Sequence, residues 1–379
     1  MQAKKIIIHS DALNVGGYPA ECPFNTSRAS RTLETAGSMG LLEGSDREIV
    51  APVRVERNEL EGFHTAEYLD GLEAAAAGKL DPYAGMLLGL GTPDCPVWPE
   101  MVSYLTLAAG GSVTGARWII EGKASVAFNP SGGLHHAHAG QASGFCYLND
   151  LVLAANAFRA AGRRVLFLDI DVHHGDGVQK AFYARKDVMT ISMHESGHTL
   201  FPGTGFVSEM GEGEGLGYSV NVPLPVGTYD AAYERAFEQV VLPLIGAYDP
   251  DVIIMELGMD TLSGDPLAHL HLTNNTPADL VDRVVGLGKP LLATGGGGYH
   301  VEHTVRAWAL CWGVLCGDHA EHEMAMLGMG GVMMGNTDWF GGLRDRMLLS
   351  DAGRRDEVDA AVDATIAEVK RTLFPLHGI

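Results

Sequence analysis

Short apolar runs of β-rich composition recur along this chain with helix-length segments between them, and that alternation narrows the possible folds more than any other feature. The runs lie at 5–8, 124–128, 165–168, 188–192, 218–222, 252–255 and 291–294. Between them, 99–122, 151–161, 229–247 and 276–288 have helical length and apolar spacing, with Pro277 where a first helical turn tolerates it. Strands that read as continuous apolar runs are buried on both faces, and strands alternating with helices wind into parallel sheets. The expected fold is therefore α/β, a parallel sheet of about eight strands with helices on both faces. No linker interrupts the 379 residues, so residues 1–379 are read as one domain, with 318–379 as a C-terminal loop and helix extension. Within that extension, 351–373 has the spacing of a final amphipathic helix, and the Met- and Gly-rich segment 324–334 reads as a packed irregular loop.

Several of these runs end in side chains that bind metals or move protons. The run at 165–168 feeds into Asp169, Asp171 and His173, and alternate residues of an extended chain point the same way. Carboxylate plus imidazole suits Zn²⁺ or another borderline divalent ion, whereas two close aspartates also suit a hard monovalent cation. Asp260 follows the run at 252–255 after a short glycine turn, at a strand's carboxyl end, where open α/β sheets gather their ligands. Two Asp and one His leave a coordination position open, the mark of a catalytic rather than a structural centre. An Asp after a strand is by itself more often a turn former or a helix cap, and it is the joint occurrence that points to a metal.

His135 and His136 follow the run at 124–128 and a turn, Asn129-Pro130-Ser131-Gly132-Gly133, which aims two imidazoles at the same rim. One can take a proton from an attacking water, and Asp169 and Asp176 are candidates to hold the second ring nitrogen of each. Gly295 to Gly298 lack the Lys-Ser/Thr of a phosphate loop, so these glycines are expected to let the backbone close on a substrate beside Tyr299, a donor for an oxyanion.

Composition removes other classes. With 46% hydrophobic and 19% charged residues and 49 glycines, the chain reads as a compact, loop-rich enzyme. A net charge of −21 without clustered Lys or Arg argues against direct nucleic-acid binding. Five cysteines at spacings that match neither a disulfide framework nor a metal knuckle fit a reducing cytoplasm. The N-terminus turns polar too soon for a signal peptide, and the apolar stretch at 308–316 is too short to span a bilayer, so neither targeting nor membrane attachment is expected.

The motifs Gly132-Gly133-Leu134-His135-His136, Ser143-Gly144-Phe145-Cys146-Tyr147-Leu148-Asn149-Asp150, Asp169-Ile170-Asp171-Val172-His173-His174-Gly175-Asp176-Gly177, Phe201-Pro202-Gly203-Thr204-Gly205 and Gly295-Gly296-Gly297-Gly298-Tyr299 resemble those of the zinc-dependent histone deacetylases, of the arginase/deacetylase superfamily. The resemblance runs from about Ile6 to about Gly317 and is nearest the bacterial deacetylase-like and acetoin-utilisation branch, near class I. It implies one Zn²⁺ on Asp171, His173 and Asp260, His135 and His136 as acid and base with Asp169 and Asp176 behind them, and Tyr299 polarising the acyl carbonyl. It also implies K⁺ on oxygens of Asp169, Asp171, His173, Ser192 and Met193, and a second K⁺ near Phe182, Val188 and Tyr218. Phe145 and Phe201 correspond to the walls of a narrow acyl-lysine tunnel, Gly144 to its carbonyl contact, Asp94 to the rim carboxylate and Arg28 to the arginine of an internal cavity.

What the resemblance implies is a metal-dependent hydrolase of linear amides, acting on an acylated protein, peptide or small amide. Leu267 occupies the place of an acidic gatekeeper in polyamine deacetylases, and its apolar side chain favours acyl-lysine over small acetylated amines. A binuclear manganese hydrolase of the arginase type would need an aspartate where Leu262 stands. A catalytically silent acyl-lysine-binding module is the reading from another class, and the full set of ligands, histidines and tyrosine argues against it.

Overall fold

The computed structural model describes residues 3–317, 343–346, 348 and 352–379. The segment 324–334 lies outside these residues, as does most of the loop part of the proposed extension. Among the described residues, eight strands form one sheet in the order β2-β1-β3-β8-β7-β4-β5-β6. They are β1 (Lys4–Ile8), β2 (Arg47–Val50), β3 (Ala124–Asn129), β4 (Val165–Asp169), β5 (Val188–Glu195), β6 (Ser219–Leu224), β7 (Val252–Glu256) and β8 (Leu291–Thr294). Every neighbouring pair runs parallel. Seven of these answer to the apolar runs of the sequence. The eighth, β2, gives no such signal because Arg47 and Glu48 face partly outward at the sheet's edge, leaving only Ile49 and Val50 apolar.

The period of two along each strand divides the interior into two cores. Ile6, Ile8, Phe167, Ile254 and Leu292 belong to one cluster, while Ile7, Phe128, Leu166, Leu168, Met255 and Ala293 belong to another. Helices Met101–Ile120 and Asp150–Ala160 pack together on the first face, and helix Val301–Cys316 joins Ser27–Ser38 and Asn275–Val285 on the second. Trp308 and Trp312 of Val301–Cys316 are fully buried, and their indole N–H groups donate to the carbonyls of Leu257 (2.7 Å) and Leu41 (2.9 Å). Large aromatic burial dominates such cores, and here one indole also anchors the loop that leads from β7 to Asp260.

Segment 229–247 is less regular than its spacing suggests. It forms Asp230–Ala236, a wide π turn at Phe237–Val241, and Leu242–Tyr248. Pro243 has no N–H for the α-helical ladder, and the widened turn ahead of it absorbs that loss. The tail folds as helix Ala352–Leu373, packed on β6 through Val362, Ile366 and Val369. All five cysteines are buried and no disulfide forms among the described residues. No helix among the described residues is long and apolar enough to cross a membrane.

Candidate active site

The four central neighbours β3, β8, β7 and β4 are the strands that feed the histidine pair, the glycine run, Asp260 and the Asp-His loop. Register places Asn129, Thr294, Glu256 and Asp169 in one row across their carboxyl ends. Four segments scattered over the sequence thereby meet on one edge.

Asp171, His173 and Asp260 are buried, and their ligand atoms lie within 4.8 Å of one another. His173 Nδ1 stands 3.2 Å from Asp171 Oδ1 and 3.0 Å from Asp260 Oδ2. The other carboxylate oxygens are engaged, since the Gly297 amide donates to Asp171 Oδ2 at 2.6 Å and the Val172 amide to Asp260 Oδ1 at 2.9 Å. Backbone groups thus orient both aspartates so that one oxygen of each converges on one imidazole nitrogen. Burial opposes a proton on His173, but its hydrogen bonds to Asp171 and Asp260 raise its pKa to about 10. Burial, then the charge of Asp171, raises Asp260. Two buried carboxylates and one imidazole at this spacing form an O,O,N donor set that could hold a borderline divalent metal.

The glycine run is the third wall. A Cβ at Gly297 would lie 1.9 Å from Asp260 Oδ2, so only glycine lets this backbone approach the ligands.

The histidine pair is aimed by the start of the helix after it. Asp150 accepts the amides of Gly133 (3.1 Å) and Leu134 (2.9 Å), while Asn149 caps that helix at the Val152 amide and binds the Ala137 carbonyl. The imidazoles meet through Nε2 atoms 3.0 Å apart, and their Nδ1 atoms face Asp169 Oδ2 (3.1 Å, His135) and Asp176 Oδ1 (2.8 Å, His136). Burial, then the charge on His135, lowers His136 to about 4. For His135 burial works the same way, but the carboxylates of Glu256, Asp169 and Asp171 outweigh it and raise its pKa well above the usual value. Burial would raise Asp176, yet His136 and His138 hold it far below the ordinary carboxylate range.

The remaining predicted residues surround this centre. Tyr299 is 6.4 Å from the His173 ring and 5.7 Å from the Phe145 ring, centroid to centroid. Phe201, 45% exposed, lies 5.0 Å from the His136 ring on the same basis. A Cβ on Gly144 would come within 2.5 Å of His136 and 2.9 Å of the Phe201 ring, so only glycine lets this backbone lie against both rings. Asp94 Oδ2 accepts the Gly144 amide at 3.1 Å, and Leu267 is half-buried with its amide on Asp265 Oδ1 at 2.9 Å. Arg28 is buried between Phe24 and Trp308 and donates to the Gly298 carbonyl at 2.7 Å. Ser192 Oγ pairs with His194 Nδ1 at 2.8 Å and the Met193 carbonyl accepts the Tyr233 hydroxyl at 3.2 Å, on β5 beside Asp169. Phe182 ends the helix ahead of β5, Val188 opens β5, and Tyr218 adjoins β6 with its carbonyl on the Thr190 amide at 2.9 Å.

The model of the histone deacetylase domain matches residues 22–315. The chain belongs to the histone deacetylase family. It is 39% identical over 326 residues to the acetoin utilization protein AcuC of Bacillus subtilis, covering 84% of each chain. It is 42% identical over 261 residues to histone deacetylase RPD3 of Saccharomyces cerevisiae, covering 68% of this chain and 60% of that one. The crystal structure of an HDAC homolog from Aquifex aeolicus matches with a TM-score of 0.83 at 30% identity, covering 97% of this chain and 100% of that one. A crystal structure of an HDAC homolog complexed with SAHA matches at the same TM-score. The chain is thus a deacetylase of the AcuC-like branch, a hydrolase acting on amides, and membership implies a metal cofactor.

Three residues of this deacetylase site escaped sequence reasoning. Glu256 Oε2 lies 3.1 Å from His135 Nδ1, so that imidazole faces two carboxylates. His138 Nε2 lies 3.4 Å from Asp176 Oδ2, behind His136. Asp265 Oδ2 accepts the Tyr299 amide at 2.7 Å. Glu256 has a signal after the fact: it ends an apolar run in register with Asp169.

Proposed function

We propose that this deacetylase removes acetyl, or another linear acyl group, from lysine side chains of proteins or peptides, with one Zn²⁺ held by Asp171, His173 and Asp260. The observation that carries this reading is the convergence of Asp171, His173 and Asp260 beside the paired imidazoles and the Tyr299 ring, with the Phe201 ring against His136 and the Phe145 ring against Tyr299. Zinc, when bound, supplies Lewis acidity toward the acyl carbonyl and lowers the pKa of water.

The protein's own groups do the rest. His136, kept neutral and with its Nδ1–H on Asp176, offers Nε2 to take the proton of the attacking water. The carboxylates of Glu256 and Asp169 favour a proton on His135, which can be passed on toward the departing amine. Tyr299 donates to the oxyanion. The Phe145 and Phe201 rings admit a long unbranched side chain, Gly144 contributes its carbonyl, the Asp94 carboxylate holds substrate backbone amides at the rim, and the apolar Leu267 disfavours cationic polyamines. Acetate and a free amine leave. Asp169, Asp171, His173, Ser192 and Met193 are assigned to one K⁺, and Phe182, Val188 and Tyr218 to a second. We read residues 1–379 as one unit working in a reducing cytoplasm, in keeping with its buried cysteines.

The test is amine release by the zinc-loaded protein from acetyl-lysine peptide, longer acyl-lysine peptides, acetylpolyamine and acetylated small amides. Preference for acyl-lysine peptides is expected. Turnover confined to polyamines or small amides would make the protein a metabolic amidohydrolase, and turnover of none would return it to a binding module.

A further inference from the structure

Glu195 ends β5 and is 1% exposed, yet it belongs neither to the metal centre nor to the histidine pair. Its amide donates to the Val172 carbonyl at 2.9 Å, which roots it between Asp171 and His173. Its carboxylate reaches two loops at once. Oε1 accepts from Thr199 Oγ1 and from His269 Nδ1, each at 3.0 Å, and Oε2 accepts the His269 amide at 3.0 Å. The Thr199 hydroxyl has the Ser196 carbonyl, also 3.0 Å away, as a competing acceptor in its own turn. Thr199 stands two residues before Phe201, and His269 two residues after Leu267. One buried carboxylate therefore ties the segment ahead of Phe201 to the segment after Leu267, and both to the loop that carries Asp171 and His173.

A cavity of about 1030 Å³ lies behind the two loops, lined by Ser196, Thr199, Gly264, Ala268 and His269 among others. Leu200 and Leu270 pack into the main core and the His269 carbonyl accepts the Gly227 amide at 2.9 Å, while the three hydrogen bonds to Glu195 join the two loops directly to each other. A carboxylate offers two acceptor oxygens, so one side chain can serve donors from both loops, whereas a glutamine amide offers one oxygen and turns a donor toward the other loop. Asp265 completes the frame from the other side, accepting the amides of Leu267 (2.9 Å) and Tyr299 (2.7 Å).

We propose that Glu195 is a specificity-determining residue: as the shared acceptor for Thr199 and His269 it fixes the distance between the Phe201 and Leu267 walls, and so the width of the acyl-lysine side chain that can pass. The inference rests on the acyl-lysine reading above. The experiment compares kcat and KM for an acetyl-lysine peptide and a branched isobutyryl-lysine peptide in the zinc-loaded wild type, Glu195→Gln, and the double variant Thr199→Val/His269→Ala. Thr199 and His269 are both exposed, so the double variant removes the side-chain donors without disturbing the core even where Glu195→Gln fails to fold. The ratio of kcat/KM for isobutyryl over acetyl should rise about tenfold, the size of effect that a methyl-scale change of pocket width produces. The change should fall on KM, with kcat for acetyl-lysine within about twofold of wild type, and His269→Asn, which keeps a side-chain donor, should stay near wild type. An unchanged ratio in a double variant active on acetyl-lysine would overturn the clamp alone, as would an equal loss of kcat on both substrates. A wild type inactive on every acyl-lysine peptide would overturn the functional reading itself.

Discussion

Tyr299 is the residue whose chemistry is easiest to isolate. Burial, then the nearby charges of Asp260 and Asp171, push its pKa well above the usual value, which favours the protonated hydroxyl as a hydrogen-bond donor. Removing one oxyanion donor costs on the order of a hundredfold or more in turnover. Tyr299→Phe should show that loss with metal content unchanged, and near-normal turnover would remove the oxyanion role. Tyr299, the histidine pair and Asp260 were legible because each follows an apolar run and a glycine-bearing turn, and Asp169, Asp171 and His173 because they continue an apolar run directly. Glu256 was not, because one acidic residue closing a strand resembles the start of a loop, and only the partner strand shows that it faces His135.

Among the elements, the loop from Gly295 to Gly298 shows how backbone shape carries function. A Cβ at Gly297 would meet Asp260 Oδ2 at 1.9 Å and Asp171 Oδ2 at 2.9 Å, and the Gly297 amide is itself the donor that orients Asp171. Groups that orient metal ligands are worth about ten- to a hundredfold in affinity. Gly297→Ala should weaken zinc binding by that factor or more, measured by competition with a chelator, while Gly288→Ala, in a surface turn, should leave it unchanged. The sequence suggested glycines that close on a substrate. The structure shows that at Gly297 they close first on Asp260 and Asp171. Helix 229–247 carries a similar lesson, since its apolar spacing gave no sign of the π turn that Pro243 brings.

For the whole molecule, the clearest expectation concerns acid. His64 Nε2 accepts the Asn149 amide at 3.1 Å, linking the turn before helix Ala66–Ala76 to the start of the helix that aims the histidine pair. Burial lowers its pKa to about 4 from an unfolded value of 6.5. The unfolded chain binds the proton first, so the stability this group contributes is complete above pH 6.5 and is lost as pH falls toward about 4. Its slope approaches about 1.4 kcal/mol per pH unit within that window. In denaturant titrations, the stability of wild type relative to His64→Gln should shrink by on the order of 3 kcal/mol across it, and parallel curves would refute the assignment. On this scale the division between sequence and structure is clear. Local sequence determined which segments would be strands or helices, and which side chains would stand at strand ends, because hydrophobic period and turn chemistry act within a few residues. The tertiary structure decided that β3, β8, β7 and β4 are neighbours, that Asn129, Thr294, Glu256 and Asp169 share one row, and that Glu195 reaches His269 from 74 residues away. Those contacts depend on how the whole sheet shares its two cores, which no local period encodes.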